Sequence, residues 1–104
     1  QHPTLDTVMA LNDPAALGAL AALATAGRTD VSVYGVDGVP ESKELILSGR
    51  MTATAGQSPR SIGRAAAQTA YALLAGGSYE AHQVLPITLF TQENLSAAQA
   101  KEWD

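Results

Sequence analysis

Cysteine is absent from this chain of 104 residues, and its absence excludes disulfides, thiolate metal sites and a cysteine nucleophile. Histidine is nearly absent. His2 lies in a loose amino-terminal segment and His82 in a loop, and neither has the spaced carboxylate or second histidine that a metal site or a hydrolytic triad requires. No catalytic set, metal or cofactor is therefore expected. The chain lacks Gly-x-Gly-x-x-Gly and Gly-Lys-Ser/Thr, so a nucleotide phosphate would miss its usual cradle. Positive charge is sparse: six Lys and Arg face ten Asp and Glu, for a net charge of −4, and the basic residues never cluster. That balance excludes nucleic acid and anionic membrane surfaces as partners. Long apolar runs are missing too, since the most weakly polar stretch, Pro14 to Gly27, is too short and too small in side chain to span a bilayer. No basic-then-apolar segment opens the chain, so any export signal would lie upstream of Gln1.

What is present is an alternation of strand and helix signals. Hydrophobic residues make up 46% of the chain and aromatic residues only 5%; much of the apolar share is alanine, which suits helices packed closely on a sheet. Thr7 to Leu11 reads as a strand with Val8, Met9 and Leu11 inside. It stops at Asn12-Asp13-Pro14, where Asn12 or Asp13 can cap a helix that begins at Pro14 and ends near Gly27. Val31, Val33, Tyr34 and Val36 form a buried-strand run, which Gly35, Gly38 and Pro40 end in a turn. Pro40 to Ser48 predicts a short helix, and Met51 to Ala55 a third strand. A longer helix is predicted from Ser61 to Gly76, with Ile62, Ala66, Thr69, Ala70, Leu73 and Leu74 on one face. Gly63 inside it suggests a close contact. Val84 to Thr91 reads as a strand marked as an edge or a bend by Pro86. Gln92 to Asp104 is a polar tail with a helical signal near Ser96. The order βα-βα-βα-β predicts an α/β fold with a parallel doubly wound sheet.

Asn12, Asp37 and Gln57 fall at the same place in three successive units, just past the strand. In an open parallel sheet that edge is where ligands bind. If the strands are neighbours, the three groups lie in a row roughly 5 to 10 Å apart. One ionised acceptor and two amides match the hydroxyls of a neutral sugar better than a phosphate. Taken alone, Asp37 reads first as an organiser of its turn and a cap for the helix at Pro40, and only second as a ligand contact. Glu41 and Glu44 read as a solvated helix face. Trp103 offers a stacking surface for a sugar, though its place in a polar tail suits a packing anchor or disorder.

Several runs together resemble one family: Leu11-Asn12-Asp13-Pro14-Ala15-Ala16-Leu17-Gly18-Ala19-Leu20, Val33-Tyr34-Gly35-Val36-Asp37-Gly38-Val39-Pro40, Ile46-Leu47-Ser48-Gly49-Arg50-Met51-Thr52-Ala53-Thr54, and Gln57-Ser58-Pro59 with Ile62-Gly63. They are similar to the periplasmic sugar-binding proteins of ABC transporters, of the ribose-binding type, whose fold is shared with LacI-type effector domains. The resemblance implies that Asn12, Asp37 and Gln57, twenty-five and twenty residues apart, hydrogen-bond the sugar. It implies a monosaccharide ligand, a membrane permease as partner, no enzymatic activity, and a periplasmic or extracellular place beside the transporter. The alternative is the effector domain of a LacI-type repressor, and a third class is an enzyme on a related sheet. The Ser42 to Thr54 segment favours transport, because repressors more often carry a shorter proline-bearing loop there.

Members of that family are nearly three times as long, so the chain is expected to be a carboxyl-terminal fragment of a two-lobe fold. Residues 1–57 would be part of the sugar-binding lobe, 58–86 a crossover whose helix packs on the absent amino-terminal lobe, and 87–104 the return strand and tail. The uncovered helix face and the open first strand predict self-association, by swapping the helix or beside a second fragment.

Overall fold

A computed structural model describes residues 2–103. β1 (Thr7–Met9), α1 (Asp13–Thr25), β2 (Ser32–Asp37), α2 (Pro40–Leu47), β3 (Ala53–Gly56), α3 (Pro59–Leu74) and β4 (Thr88–Thr91) follow one another, with a 3-10 turn at Gln99–Lys101. The sheet runs in the order β1-β2-β3-β4. Its first three strands are parallel, with Val8 opposite Val33 and Tyr34 opposite Ala53, and β4 closes it antiparallel, with Phe90 opposite Thr54. This is the expected α/β arrangement. Both parallel crossovers step the same way across the sheet, so right-handed connections lay α1 and α2 on one face. Burial alternates along β2 accordingly: Val33 and Gly35 are buried, Tyr34 and Val36 only half so.

The helices start where local chemistry dictates. Asn12 caps α1, its Oδ1 accepting from the Ala15 amide at 2.9 Å, with proline in the first turn. Ser58 caps α3 in the same way, its Oγ accepting from Ser61 at 3.0 Å, so α3 opens at Pro59 rather than at Ser61. α2 has no side-chain cap at Val39, and Asp37 does not serve as one.

Ala16, Leu20, Val33, Ile46, Met51, Phe90 and Leu95 form the core between the two helices and the sheet. Burying each large aliphatic side chain among them contributes about 1.5 to 3 kcal/mol. Leu95 belongs to the segment read as a polar tail. Leu95 and Ala100 are both buried, and the 3-10 turn packs on α2, so the tail is a structural part of the sheet-and-helix body.

Other expectations are corrected. Gly35 lies inside β2 rather than ending it. β1 stops at Met9, and Leu11, expected inside it, is 88% exposed, because β1 pairs with β2 alone among the described residues. β4 begins only at Thr88: Pro86 cannot donate to a ladder, so the preceding residues stay outside the sheet. A side chain at Gly63 would meet nothing within 4 Å among the described residues.

α3 differs from everything else. Its apolar stripe includes Ile62, Leu73 and Leu74, all exposed, and none of its 16 residues is buried among the described residues. The molecule measures 59 × 31 × 18 Å with a radius of gyration of 17.4 Å, against about 13 Å for a compact domain of this length.

Candidate functional site

The carboxyl edge of the three parallel strands is assembled by a residue that sequence reasoning named only as an alternative cap. Asp13 is fully buried. Its Oδ2 accepts from the backbone amides of Gly38 and Val39, both at 2.9 Å, and its Oδ1 accepts from the Thr54 hydroxyl at 2.7 Å. Thr54 Oγ1 in turn accepts from the Gly38 amide at 3.3 Å. One carboxylate thus ties the start of α1 to the β2–α2 turn and to β3. It also stands at the uncapped start of α2, where negative charge is favourable. Gly35 makes the crossing possible, since a Cβ there would overlap the Asp13 carboxylate and the Met51 side chain. A glycine in the middle of a strand was the available sequence signal for such an approach.

All three predicted residues come to this edge. Asp37 is the last residue of β2 and Gln57 follows β3 directly. They touch: the Gln57 amide nitrogen Nε2 donates to Asp37 Oδ1 at 3.2 Å, and the Gln57 backbone amide donates to the Asp37 carbonyl at 3.1 Å. Asn12 follows β1 and joins the same edge through its neighbour Asp13, whose carboxylate holds Gly38. Its oxygen is engaged in the cap, and its Nδ2 amide has no partner among the described residues. Asp37 has a φ of 120°, a conformation that costs a non-glycine residue about 1 to 3 kcal/mol and that clusters at ligand clamps.

Beside this pair opens a groove of about 350 Å³ lined by Asp37, Gln57, Pro59, Ile62, Gly63 and Trp103. It holds one carboxylate, one amide, an indole and small apolar surfaces. Among the described residues that line it there is no cation, so the lining can accept hydrogen bonds from hydroxyls and suits a neutral ligand better than a phosphate. Among the described residues no three His, Cys, Asp or Glu side chains are grouped to hold a metal ion, and no helix is long and apolar enough to cross a membrane. His2, His82, Glu41 and Glu44 are exposed and lie outside the groove.

The tail reaches the groove because a buried lysine holds it. Lys43 of α2 is 1% exposed. Its Nζ donates to the Glu102 carbonyl at 2.6 Å and the Gln99 carbonyl at 3.4 Å, and lies 4.3 Å from the centroid of the Phe90 ring. Nothing local in the sequence marks Lys43 for this task, because its partners follow it by more than fifty residues.

Residues 1–78 match the family model described as periplasmic binding protein domain. The ribose import binding protein of Escherichia coli strain K12 is 39% identical over 92 residues, which cover 88% of this chain and 31% of that protein. An ABC transporter solute binding protein from Mycobacterium smegmatis, solved with bound glycerol, superposes with a TM-score of 0.84 at 41% identity, over 89% of this chain and 33% of that one. The Caulobacter myo-inositol binding protein, solved with myo-inositol, gives a TM-score of 0.79 at 35% identity, over 86% of this chain and 31% of that one. The chain thus spans about a third of the length of the relatives it matches.

Proposed function

This chain belongs to the periplasmic binding protein family, and from that premise we propose that it forms part of the carboxyl-terminal lobe of a sugar-binding subunit of an ABC transporter. Asp37, Gln57 and Asn12 are the residues that hydrogen-bond a neutral monosaccharide or cyclic polyol. The reading rests above all on the Asp37–Gln57 pair: two polar side chains in contact at the ligand edge of the sheet, one on a strained backbone, beside a groove without cations. The carboxylate accepts from two hydroxyls or from one hydroxyl and Gln57; the amides of Gln57 and Asn12 both donate and accept. The ligand is held between two lobes, and the closed form is what a membrane permease recognises in the periplasm. The import and transporter proteins named above favour this over a repressor's effector domain, and the set carries no enzymatic chemistry.

In this reading residues 1–57 and 87–104 belong to one lobe, while α3 carries its apolar stripe onto the other. A small pocket of about 50 Å³ between Gln57, Ser58, Ser61, Ile62 and the segment Leu85, Pro86, Ile87 supports that division, because the outgoing and returning chains run side by side there. The 104-residue chain by itself is proposed to self-associate, through the face of α3 and the open edge of β1.

The test is calorimetry on the intact protein that carries this chain, against D-ribose, D-allose and myo-inositol. Asp37→Ala should weaken binding of whichever ligand binds by about 1.5 to 3 kcal/mol, the range for a charge-assisted hydrogen bond. Asp37→Gly should lose affinity equally while leaving the melting temperature unchanged or higher, because glycine relieves the positive φ. Unaltered affinity in both variants would remove Asp37 from the site.

A further inference from the structure

We propose that Asp13 is a positioning residue of the sugar site: with Thr54 it holds the peptide between Asp37 and Gly38, and so fixes the direction in which the Asp37 carboxylate meets a hydroxyl. This rests on the reading above and adds to it two buried side chains that touch no ligand yet set its affinity.

The peptide that follows Asp37 is held at both ends. Its oxygen, the Asp37 carbonyl, accepts from the Gln57 backbone amide at 3.1 Å. Its nitrogen, the Gly38 amide, donates to Asp13 Oδ2 at 2.9 Å and to Thr54 Oγ1 at 3.3 Å. The next amide, that of Val39, donates to the same Asp13 oxygen at 2.9 Å. Asp37 itself is paired in register with Gly56 of β3. Strand pairing before the residue and a clamped peptide after it fix both sides of its Cα, and the backbone stays at φ 120°. A non-glycine residue keeps such a conformation only where its surroundings over-determine it. The Cα–Cβ direction follows the backbone, so whatever clamps this peptide also aims the carboxylate.

Burial is graded to match. Asp13 and Thr54 are fully buried, whereas Asp37 is half-buried and Gln57 exposed. The supporting pair thus lies beneath the pair that a ligand can reach. Capping α2 alone would not call for this arrangement. A serine or aspartate in place of Val39 would cap the helix locally, yet Val39 makes no side-chain cap and the acceptor comes from the start of α1, twenty-six residues earlier. A buried carboxylate is costly unless its oxygens are hydrogen-bonded. All three donors to Asp13 lie in the turn after Asp37 or on β3 ahead of Gln57, so its compensation and the alignment of the two polar side chains are one construction. A contact group aligned in advance loses less ordering when the ligand arrives.

The experiment is calorimetry on the intact protein with D-ribose, D-allose and myo-inositol. It compares wild type, Asp13→Ala, Thr54→Val, Thr54→Ser and Asp37→Ala, and adds Asp13→Ala and Thr54→Val each combined with Asp37→Ala, all well below the melting midpoint of each variant. Thr54→Val should weaken binding roughly fivefold and Asp13→Ala roughly twentyfold, within the range for residues that share partners. Thr54→Ser keeps the hydroxyl and should stay within about twofold of wild type. In the Asp37→Ala background neither substitution should weaken binding further, because the group they aim is gone. General loosening of the fold would instead cost the same in both backgrounds. Should Asp13→Ala not fold, the Thr54→Val cycle decides alone. Wild-type affinity in Thr54→Val together with a loss in Asp37→Ala overturns the inference and leaves the sugar site standing. Losses that add in the double variants, or a loss in Thr54→Ser equal to that in Thr54→Val, also overturn it, since they mark a merely structural role. Undiminished binding in Asp37→Ala, or no binding of any of the three ligands by wild type, overturns the site and the inference together.

Discussion

α1 and α3 are close relatives in local design: 13 and 16 residues, alanine-rich, each with an oxygen-bearing N-cap and a proline in its first turn. Their fates differ. α1 buries Asp13, Ala16 and Leu20 against the sheet. α3 buries none of its residues among those described, although its apolar and polar residues are far more cleanly sorted to opposite faces. A sharp stripe declares that a helix has a side to hide; it does not say what hides it. The blurred pattern of α1 is sufficient because small residues let the helix sit close to the strands, where Leu20 and Ala16 reach Val33 and Met51. α1 thus completes its packing on the sheet, whereas α3 leaves its apolar side exposed among the described residues.

The sharpest way to break this comparison is to remove what holds the body together at the carboxyl edge of the parallel strands. Asp13→Ala leaves the Val39 amide and the Thr54 hydroxyl without their acceptor and the Gly38 amide with only the longer bond to Thr54 Oγ1, and should cost about 3 to 5 kcal/mol in a urea titration. A loss below about 1 kcal/mol would mean the carboxylate is incidental. Next in size is a matched pair in the isolated chain. At concentrations too low for association, Leu20→Ala, in the core, should cost about 2 to 4 kcal/mol, while Leu73→Ala, on α3, should cost less than about 0.5 kcal/mol. In the intact protein the Leu73 variant should approach the cost of the Leu20 one, and equality of the two in the isolated chain would show that α3 is already covered there.

The same asymmetry makes the isolated chain expected to associate at roughly tens of micromolar, since several exposed apolar side chains share one helix face. Static light scattering reporting a monomer would count against it. The smallest effect belongs to the surface of the body. Arg28 donates two hydrogen bonds to Asp30 and reaches back to the Leu5 carbonyl at 2.7 Å. The bond from Arg28, then that from its own backbone amide, holds the Asp30 carboxyl below its ordinary value. A depressed carboxylate contributes stability that is present above its unfolded value of about 3.9 and lost as pH falls through the folded one. The difference in urea midpoint between wild type and Asp30→Asn should therefore shrink from pH 5 to roughly pH 3. It should be slight, because the pair is open to solvent and salt.

Much of the carboxyl edge of the sheet was legible because it depends on position along a strand. Asn12, Asp37 and Gln57 each follow a β-branched or small-residue run that a proline-led helix succeeds, and three such repeats in parallel order must bring their ends to one side. Asp13 was not legible as the organiser, since an acid beside a capping asparagine is commonplace and its partners lie at Gly38, Val39 and Thr54. The tail was misread for a related reason. Its residues are mostly polar, and the two that matter to the core, Leu95 and Ala100, are too few to show a period. The groove likewise joins residues from β2, α3 and the far end of the chain.

From the chain of letters alone came the order of elements, the parallel pairing of the first three strands and the place of Asn12, Asp37 and Gln57 just past them, because each depends on contacts within a few residues or on a repeated spacing. Tertiary structure alone decided that Asp13 is buried beneath the turn it supports, that Lys43 holds the tail against α2, and that Trp103 lines the same groove as Asp37. Those arrangements depend on burial and charge compensation between residues distant in sequence, and no local pattern encodes which distant group will arrive.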